Sequence, residues 1–380
     1  MCQLIEKEGT PLDTRGIATP PIPARLTAPT LDATGLTEII DGSLPERTDG
    51  GFSELSREVK QAGLLDRHYA SDKIRMGVNA FLLAAGWVAF FFIGDSWYQL
   101  LVAAYLALVL GQVGFVAHDI GHRQTQRSRR LNDTFGLINA NLFLGMSYGW
   151  WIDKHTRHHT RPNHEGKDPD IGTGIFVWTT GQAGDKRGAG RLLARYQAIL
   201  FFPMLLLEGL HLQVAGIRAL PSRTSRQRTK EAALLGLHIA LYLGPLLFVL
   251  SPVRALVFLL VNQGLLGLYL GSAFAPNHKG MPVFDEDDTT GFLERQVVTA
   301  RNVRGGWISD FVLGGLNYQI EHHLFPSMPR RNLRRSQPLV KAFCERHNLV
   351  YNETGFGASY AQVLRHLHAV GAPIRGGTPA

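Results

Sequence analysis

Four long apolar runs constrain this chain more than any other feature. Met76 to Ile93 and Trp97 to Ala117 stand back to back, separated only by Gly94, Asp95 and Ser96. Ala232 to Leu250 and Val253 to Ala275 are joined by Ser251-Pro252, a turn that proline favours. About 20 apolar residues suffice for a helix to cross a bilayer, and Trp97 and Tyr98 suit its interface. Two buried hairpins of a large soluble protein are the alternative. Four runs whose single formal charge is Arg254, at a hairpin tip, argue against it. The expected fold is therefore an all-α membrane protein with four transmembrane helices in two hairpins, spanning about 76–93, 97–117, 232–250 and 253–275. A mean hydropathy of −0.01 hides this pattern, because the apolar blocks alternate with strongly polar stretches.

Basic residues orient the spans. Lys73 and Arg75 precede the first run, and Arg123, Arg127, Arg129 and Arg130 follow the second. Arg218, Arg223, Arg226, Arg228 and Lys230 precede the third, and Lys279 lies beyond the fourth. Cytoplasmic loops are enriched in Lys and Arg, so both termini and every large loop are expected inside, at the cell membrane if the source is bacterial. The net charge of +8 then follows from topology and calls for no nucleic-acid partner. MCQLIEKEGT is mixed in charge with no apolar run after it, so no signal peptide is expected. Residues 1–50 read as a polar, disordered lead-in rich in Pro and Thr, 51–370 as one domain, and 371–380 as a flexible tail. From Ser53, a short amphipathic helix with Leu55, Val59, Ala62 and Leu65 on one face is predicted at the membrane surface, capped by Ser53. Phe135–Trp151 and Ile199–Ala215 are also apolar, but contain Asn139, Asn141, Glu208 and His211, and are read as re-entrant or interfacial. Cys2 and Cys344 form no disulfide framework and no CxxC site.

Seven of the 15 histidines fall into three clusters: His118-Asp-Ile-Gly-His122, His155-Thr-Arg-His158-His159 and Gln319-Ile-Glu-His322-His323. Helical residues four apart share a face, so HxxxH aims two imidazoles one way, and HxxHH adds a neighbour swung around the helix. Imidazole accepts zinc, copper, iron or nickel. Seven or eight imidazoles exceed the four to six donors of one ion, so two metals are the natural count. A shared site requires all three clusters on one face of the membrane. Phe135–Trp151 therefore cannot cross.

The motifs HDIGH, HTRHH leading into RPNHEGKDPDI, and NYQIEHHLFPSMP resemble the membrane fatty acid desaturase family, in particular its linoleoyl-CoA desaturase-like branch. The resemblance runs from about Leu55 to about Val370. It implies a four-helix stalk beneath a cytosolic helical cap that holds a histidine-ligated diiron centre, with a further ligand histidine between the fourth span and the third box. His278, in APNHK, stands at that place. The implied metal ligands are His118, His122, His155, His158, His159, His278, His322 and His323. Gln319, where the stearoyl-CoA branch has histidine, and Asn277 are secondary candidates acting through water. Asp119, Asp168, Asp170 and Glu321 are candidates for holding the far imidazole nitrogens. His164 is expected in a solvated loop, and His366 on the solvent face of a C-terminal helix.

The implied activity is O2-dependent desaturation of an acyl-CoA or phospholipid acyl chain, for which two irons are the expected cofactor. An unactivated methylene C–H needs an oxidant that no side chain provides. Removing two hydrogens yields two electrons, and reducing O2 to two waters takes four, so a donor supplies the other two. No HPGG motif of a fused cytochrome b5 domain occurs, so a separate donor is expected: ferredoxin, cytochrome b5 or a flavin reductase. Tyr148, Trp150 and Trp151 are candidates either for channel walls or for an interfacial belt. The competing readings are a histidine-box hydroxylase and a non-catalytic receptor on the same scaffold.

Overall fold

Apolar side chains must leave water, and here they do so in two ways: inside protein, and on an outward face that only lipid can cover. A computed structural model describes residues 50–376. It begins with α1 (Gly50–Gln61), followed by the first hairpin, α2 (Tyr69–Ile93) and α3 (Gln99–Gly121). Next come α4 (Arg129–Gly136), a π-helix (Leu137–Leu144) and α5 (Tyr148–Thr160). After a loop follow α6 (Thr180–Asp185), α7 (Gly188–Leu205) and α8 (Glu208–Arg218), then the second hairpin, α9 (Ser225–Val249) and α10 (Pro252–His278). The remainder is α11 (Phe292–Val298), β1 (Asn302–Arg304), α12 (Trp307–Val312), α13 (Gln319–Leu324), α14 (Arg330–Arg346), β2 (Glu353–Gly355) and α15 (Phe356–Val370).

The four hairpin helices have 25, 23, 25 and 27 residues. At about 1.5 Å per residue each exceeds the roughly 30 Å hydrocarbon layer. Phe92 and Phe248, both 88% exposed, mark the outward apolar face, whereas α3 lies mostly buried among its neighbours. The protein is a multi-pass membrane protein. The first and third helices begin at Tyr69 and Ser225, earlier than hydropathy places them. Their polar first two turns bury Asp72 and Glu231 against protein, a contact that hydropathy does not register.

Of the two further apolar segments, the first carries the π-helix and stops at Gly145, whose φ of 76° is left-handed. His238 Nδ1 bonds the Leu142 carbonyl at 2.9 Å and Gln213 Nε2 donates to that of Leu144 at 3.1 Å, covering oxygens at the end of the segment. The second segment bends by 86° between α7 and α8, as a broken or re-entrant helix does. There α8 crosses α10 backbone to backbone. A Cβ on Gly267 would lie 2.5 Å from Leu205 O, and one on Gly209 would lie 2.9 Å from Gln263 O, so only glycine permits the crossing.

Helix α1 does not lie on a membrane surface. Leu55 and Val59 are fully buried in a cluster with Val297, Ile320 and Phe343, and Ser53 sits inside the helix instead of capping it. Burying such a side chain is worth about 1.5–3 kcal/mol, and the cap supplies the partners. Glu58 adds an ion pair to Arg346 on α14 at 2.7 Å. At the other end the tail is not wholly loose, since Ile374 is buried with Val177, Ala194 and Val370. The lead-in through residue 49, including Cys2, lies outside the described residues, as do 377–380. Cys344 is buried and free. A two-stranded parallel pair, Asn302 to Glu353 through Arg304 to Gly355, joins the chain before α12 to that before α15.

Candidate metal centre

Four elements deliver histidines to one end of the bundle. Helix α3 carries His118 in its last turn and has His122 as its C-terminal cap residue. In α5, Ser147 Oγ accepts from Trp150 N at 3.1 Å and donates to the buried Glu231 of α9 at 2.5 Å, fixing where the helix starts. His155, His158 and His159 follow two turns later. Helix α10 ends in His278. Helix α13 has six residues, too few to hold by itself. Asn302 Oδ1 caps it by accepting from Ile320 N at 2.9 Å, and Tyr351 OH donates to Glu321 at 2.6 Å.

The eight histidines form two groups. His118, His122, His155, His159 and His322 each bring a ring nitrogen within 4.8 Å of the others, and His158, His278 and His323 do the same. His159 and His323 stack at 4.1 Å between the groups. Helical period explains the partition. His118 and His122, like His155 and His159, are four apart and share a face, whereas the adjacent pairs 158–159 and 322–323 point apart and serve different groups.

Ring nitrogens converge with few partners other than one another. Nε2 atoms of His122 and His155 lie 2.9 Å apart, those of His155 and His159 3.1 Å, and those of His158 and His278 3.3 Å. Nε2 of His118, His322 and His323 is buried with no hydrogen-bond partner. A neutral imidazole has one N–H and one lone pair. In the three-histidine group the N–H is assigned: His158 Nδ1 faces Asp168 at 2.9 Å, His278 Nδ1 faces Thr299 O at 2.9 Å, and His323 Nδ1 faces Gln296 Oε1 at 2.8 Å. That leaves three Nε2 lone pairs aimed inward, the donor set of a metal ion. Burial, and then the neighbouring imidazoles, hold His122, His155, His159, His322 and His323 well below the usual histidine range, so they stand neutral and able to ligate. Burial opposes a charge on His158 as well, but the carboxylates of Asp168 and Asp170 outweigh it and raise its pKa.

Gln319 Nε2 lies 2.9 Å from His278 Nε2, and its Oε1 is buried and unpartnered, so this amide belongs to the three-histidine group. Asn277 Nδ2 bonds Ala273 O at 3.2 Å and stays in its own helix, with Oδ1 buried and unpartnered. Asp119 lies 3.5 Å from His118 Nδ1 and is tied to Arg75 at 2.6 Å. Asp170 pairs with Lys154 and lies 3.5 Å from His158 Nδ1.

Three expectations fail. Glu321 holds no imidazole; it bonds Asn302 and Tyr351, and burial pushes its carboxyl up to about 7. His164 is not solvated but fully buried, with Nδ1 on its neighbour's carbonyl and Lys167 Nζ at 3.2 Å. His366 is half-buried, not solvent-facing, and burial beside Lys279 pushes it down to about 4. Each depends on what packs above the residue, which local sequence does not state. Sequence reading also missed Gln296, Thr299 and Asn163. Gln296 holds His323 and donates to His159 O at 2.9 Å; Asn163 N donates to Asp168 at 2.8 Å. No spacing rule marks these residues.

Trp151 stacks on His155 at 4.5 Å and lies 5.6 Å from His118, and Phe274 lies 6.2 Å from His118. Tyr148 is buried against Gly136 and belongs to no surface belt.

Comparison with known proteins agrees with this site. Residues 95–355 match the fatty acid desaturase family profile. An acyl-lipid (9-3)-desaturase of Physcomitrium patens is 33% identical over 279 residues, 70% of this chain but 52% of that protein. A Delta(8)-fatty-acid desaturase of Euglena gracilis is 31% identical, over 83% of this chain and 77% of its own length. A Delta(5) fatty acid desaturase of Caenorhabditis elegans is 30% identical over 79% and 69%. The chain thus spans about half the length of the moss protein. With the profile covering most of the chain, and the histidine groups lying inside or beside it, this chain belongs to the fatty acid desaturase family.

Proposed function

We propose that this protein introduces a cis double bond into a lipid-linked or CoA-linked acyl chain, using O2, two irons held by the eight histidines, and two electrons from a protein donor. The observation that carries the reading is the pair of adjoining groups, five and three buried imidazoles, at one end of a membrane bundle. Two irons held there would supply, with O2, the oxidising power that removal of methylene hydrogens demands and side chains lack. The chain's own part is positional. Trp151 and Phe274 flank His118 and offer an apolar wall for an acyl chain while keeping water from the histidines. Asp168, Thr299 and Gln296 hold three imidazoles in the tautomer that turns Nε2 inward. Gln319 stands ready as a fourth donor to the three-histidine group. Exposed Arg127, Arg129 and Arg130, and Arg226, Arg228 and Lys230, suit an acidic electron donor, for which ferredoxin, cytochrome b5 and a flavin reductase are the candidates.

Expression in a host without desaturases, with double bonds located by mass spectrometry, tests the reading. A new unsaturated acyl chain is expected; a hydroxylated one would move the assignment to the hydroxylase reading, and no new product would leave a non-catalytic scaffold. The histidine end is proposed to face the cytoplasm, because basic residues flank the spans there and the hairpin tips carry only Arg254. Reporter fusions after Arg130 and after Arg228 should both read cytoplasmic, and an external reading at either would reverse the orientation.

A further inference from the structure

Arg301 is among the largest fully buried side chains, and no carboxylate of the described residues pairs with it. A buried guanidinium without an anion is costly unless its donors are all engaged. Those of Arg301 are spent almost entirely on one helix end. Nε and Nη2 donate to Pro276 O at 2.8 and 2.5 Å, and Nη2 donates to Lys279 O at 2.8 Å. Its own backbone N–H donates to Asn277 O at 2.8 Å. Nη1 reaches Gln362 Oε1 on α15. These carbonyls close α10, where the last turn lacks intrahelical donors and the helix dipole presents partial negative charge. That charge is what replaces a carboxylate.

Pro276 enlarges the defect. Having no N–H, it cannot bond the carbonyl of Ser272 four residues earlier. Tyr360 OH, from α15, donates to that oxygen instead. His278 lies inside this last turn, and its Nδ1 is held by Thr299 O, two residues before Arg301. The segment 299–301 therefore grips both the ring of His278 and the backbone that carries it, while α15 braces the same turn through Tyr360 and Gln362.

We propose that Arg301, backed by α15, is a positioning residue: by clamping the carbonyls around His278 it sets the direction from which that imidazole enters the three-histidine group. A cation used only as core filler would face acids or stack on rings; this one engages the terminus of a single ligand-bearing helix. The proposal rests on the two-metal reading above.

The test counts irons per chain by elemental analysis in detergent-purified protein reconstituted with ferrous iron, together with a thermal melt. Wild type is expected to hold two. Arg301→Met should hold close to one while remaining folded. In that background His323→Ala should remove no further iron, whereas His155→Ala should remove the one that is left, which assigns the loss to the three-histidine group. Arg301→Lys keeps the charge but not the planar fork. It should bind the second iron on the order of tenfold more weakly, as loss of an outer support to a metal ligand typically does. Two irons in folded Arg301→Met, or loss of both together, would overturn the clamp. If the methionine variant does not accumulate, the lysine variant decides, and unchanged affinity there overturns it as well. Fewer than two irons in the wild type would instead sink the two-metal reading, and the clamp with it.

Discussion

Alanine at His158 or His322 is expected to abolish unsaturated product while the chain still accumulates in the membrane. Both rings are buried, one in each histidine group, and they stand on α5 and α13, outside the four hairpin helices. His368→Ala is the matched control: the residue is exposed on α15, and its recorded partner, Arg375, takes only its backbone carbonyl. His366 would be a poor control despite lying outside every cluster, because it is packed beside Lys279. Lipid profiles and membrane levels are measured side by side. Product at wild-type levels in both box variants would overturn the assignment of these histidines, and equal loss of all three proteins would mean that stability had been measured.

Asp168→Asn should weaken metal binding at the three-histidine group roughly 10–100-fold, the usual cost of losing the partner that orients a ligand histidine. The side chain of Asp168 is wholly buried and accepts three hydrogen bonds: from His158 Nδ1 at 2.9 Å, Asn163 N at 2.8 Å and Asp170 N at 2.8 Å. Asparagine keeps the shape but offers one accepting oxygen, so its amide group must face an N–H, a mismatch worth about 1–3 kcal/mol. Loss of the charge also removes what favours the Nδ1–H tautomer of His158. Titration of the apo protein with ferrous iron should show one unchanged and one weakened step. Two unchanged steps would mean that Asp168 orients nothing.

Reading from sequence succeeded where physics is local. Hydropathy located four spans, because a bilayer tests each segment by itself. It placed the starts of the first and third too late, because Asp72 and Glu231 are buried by protein. The same blindness put α1 on a membrane: the amphipathic face of Leu55 and Val59 is legible, but a lipid surface and the groove beneath α14 reward it alike. Resemblance named the eight histidines that the structure gathers into two groups.

What the amino-acid sequence determined by itself is thus the set of helices, the faces they present and the chemistry carried on those faces. The tertiary structure alone decided which faces meet. It joined His322 to the five-histidine group and His323 to the three-histidine group, although they are neighbours in the chain. It brought Gln296 and Thr299, residues of no motif, against the far nitrogens of His323 and His278, and set the backbone of Asn163 on the carboxylate that holds His158. It turned Glu321 from the imidazoles toward Asn302 and Tyr351. The reason is range. Helical period and hydropathy act over a few turns, whereas the protonation and aim of a buried imidazole depend on groups from other elements, as with Gln296, which holds the ring of His323 and bonds the backbone of His159, 137 residues earlier.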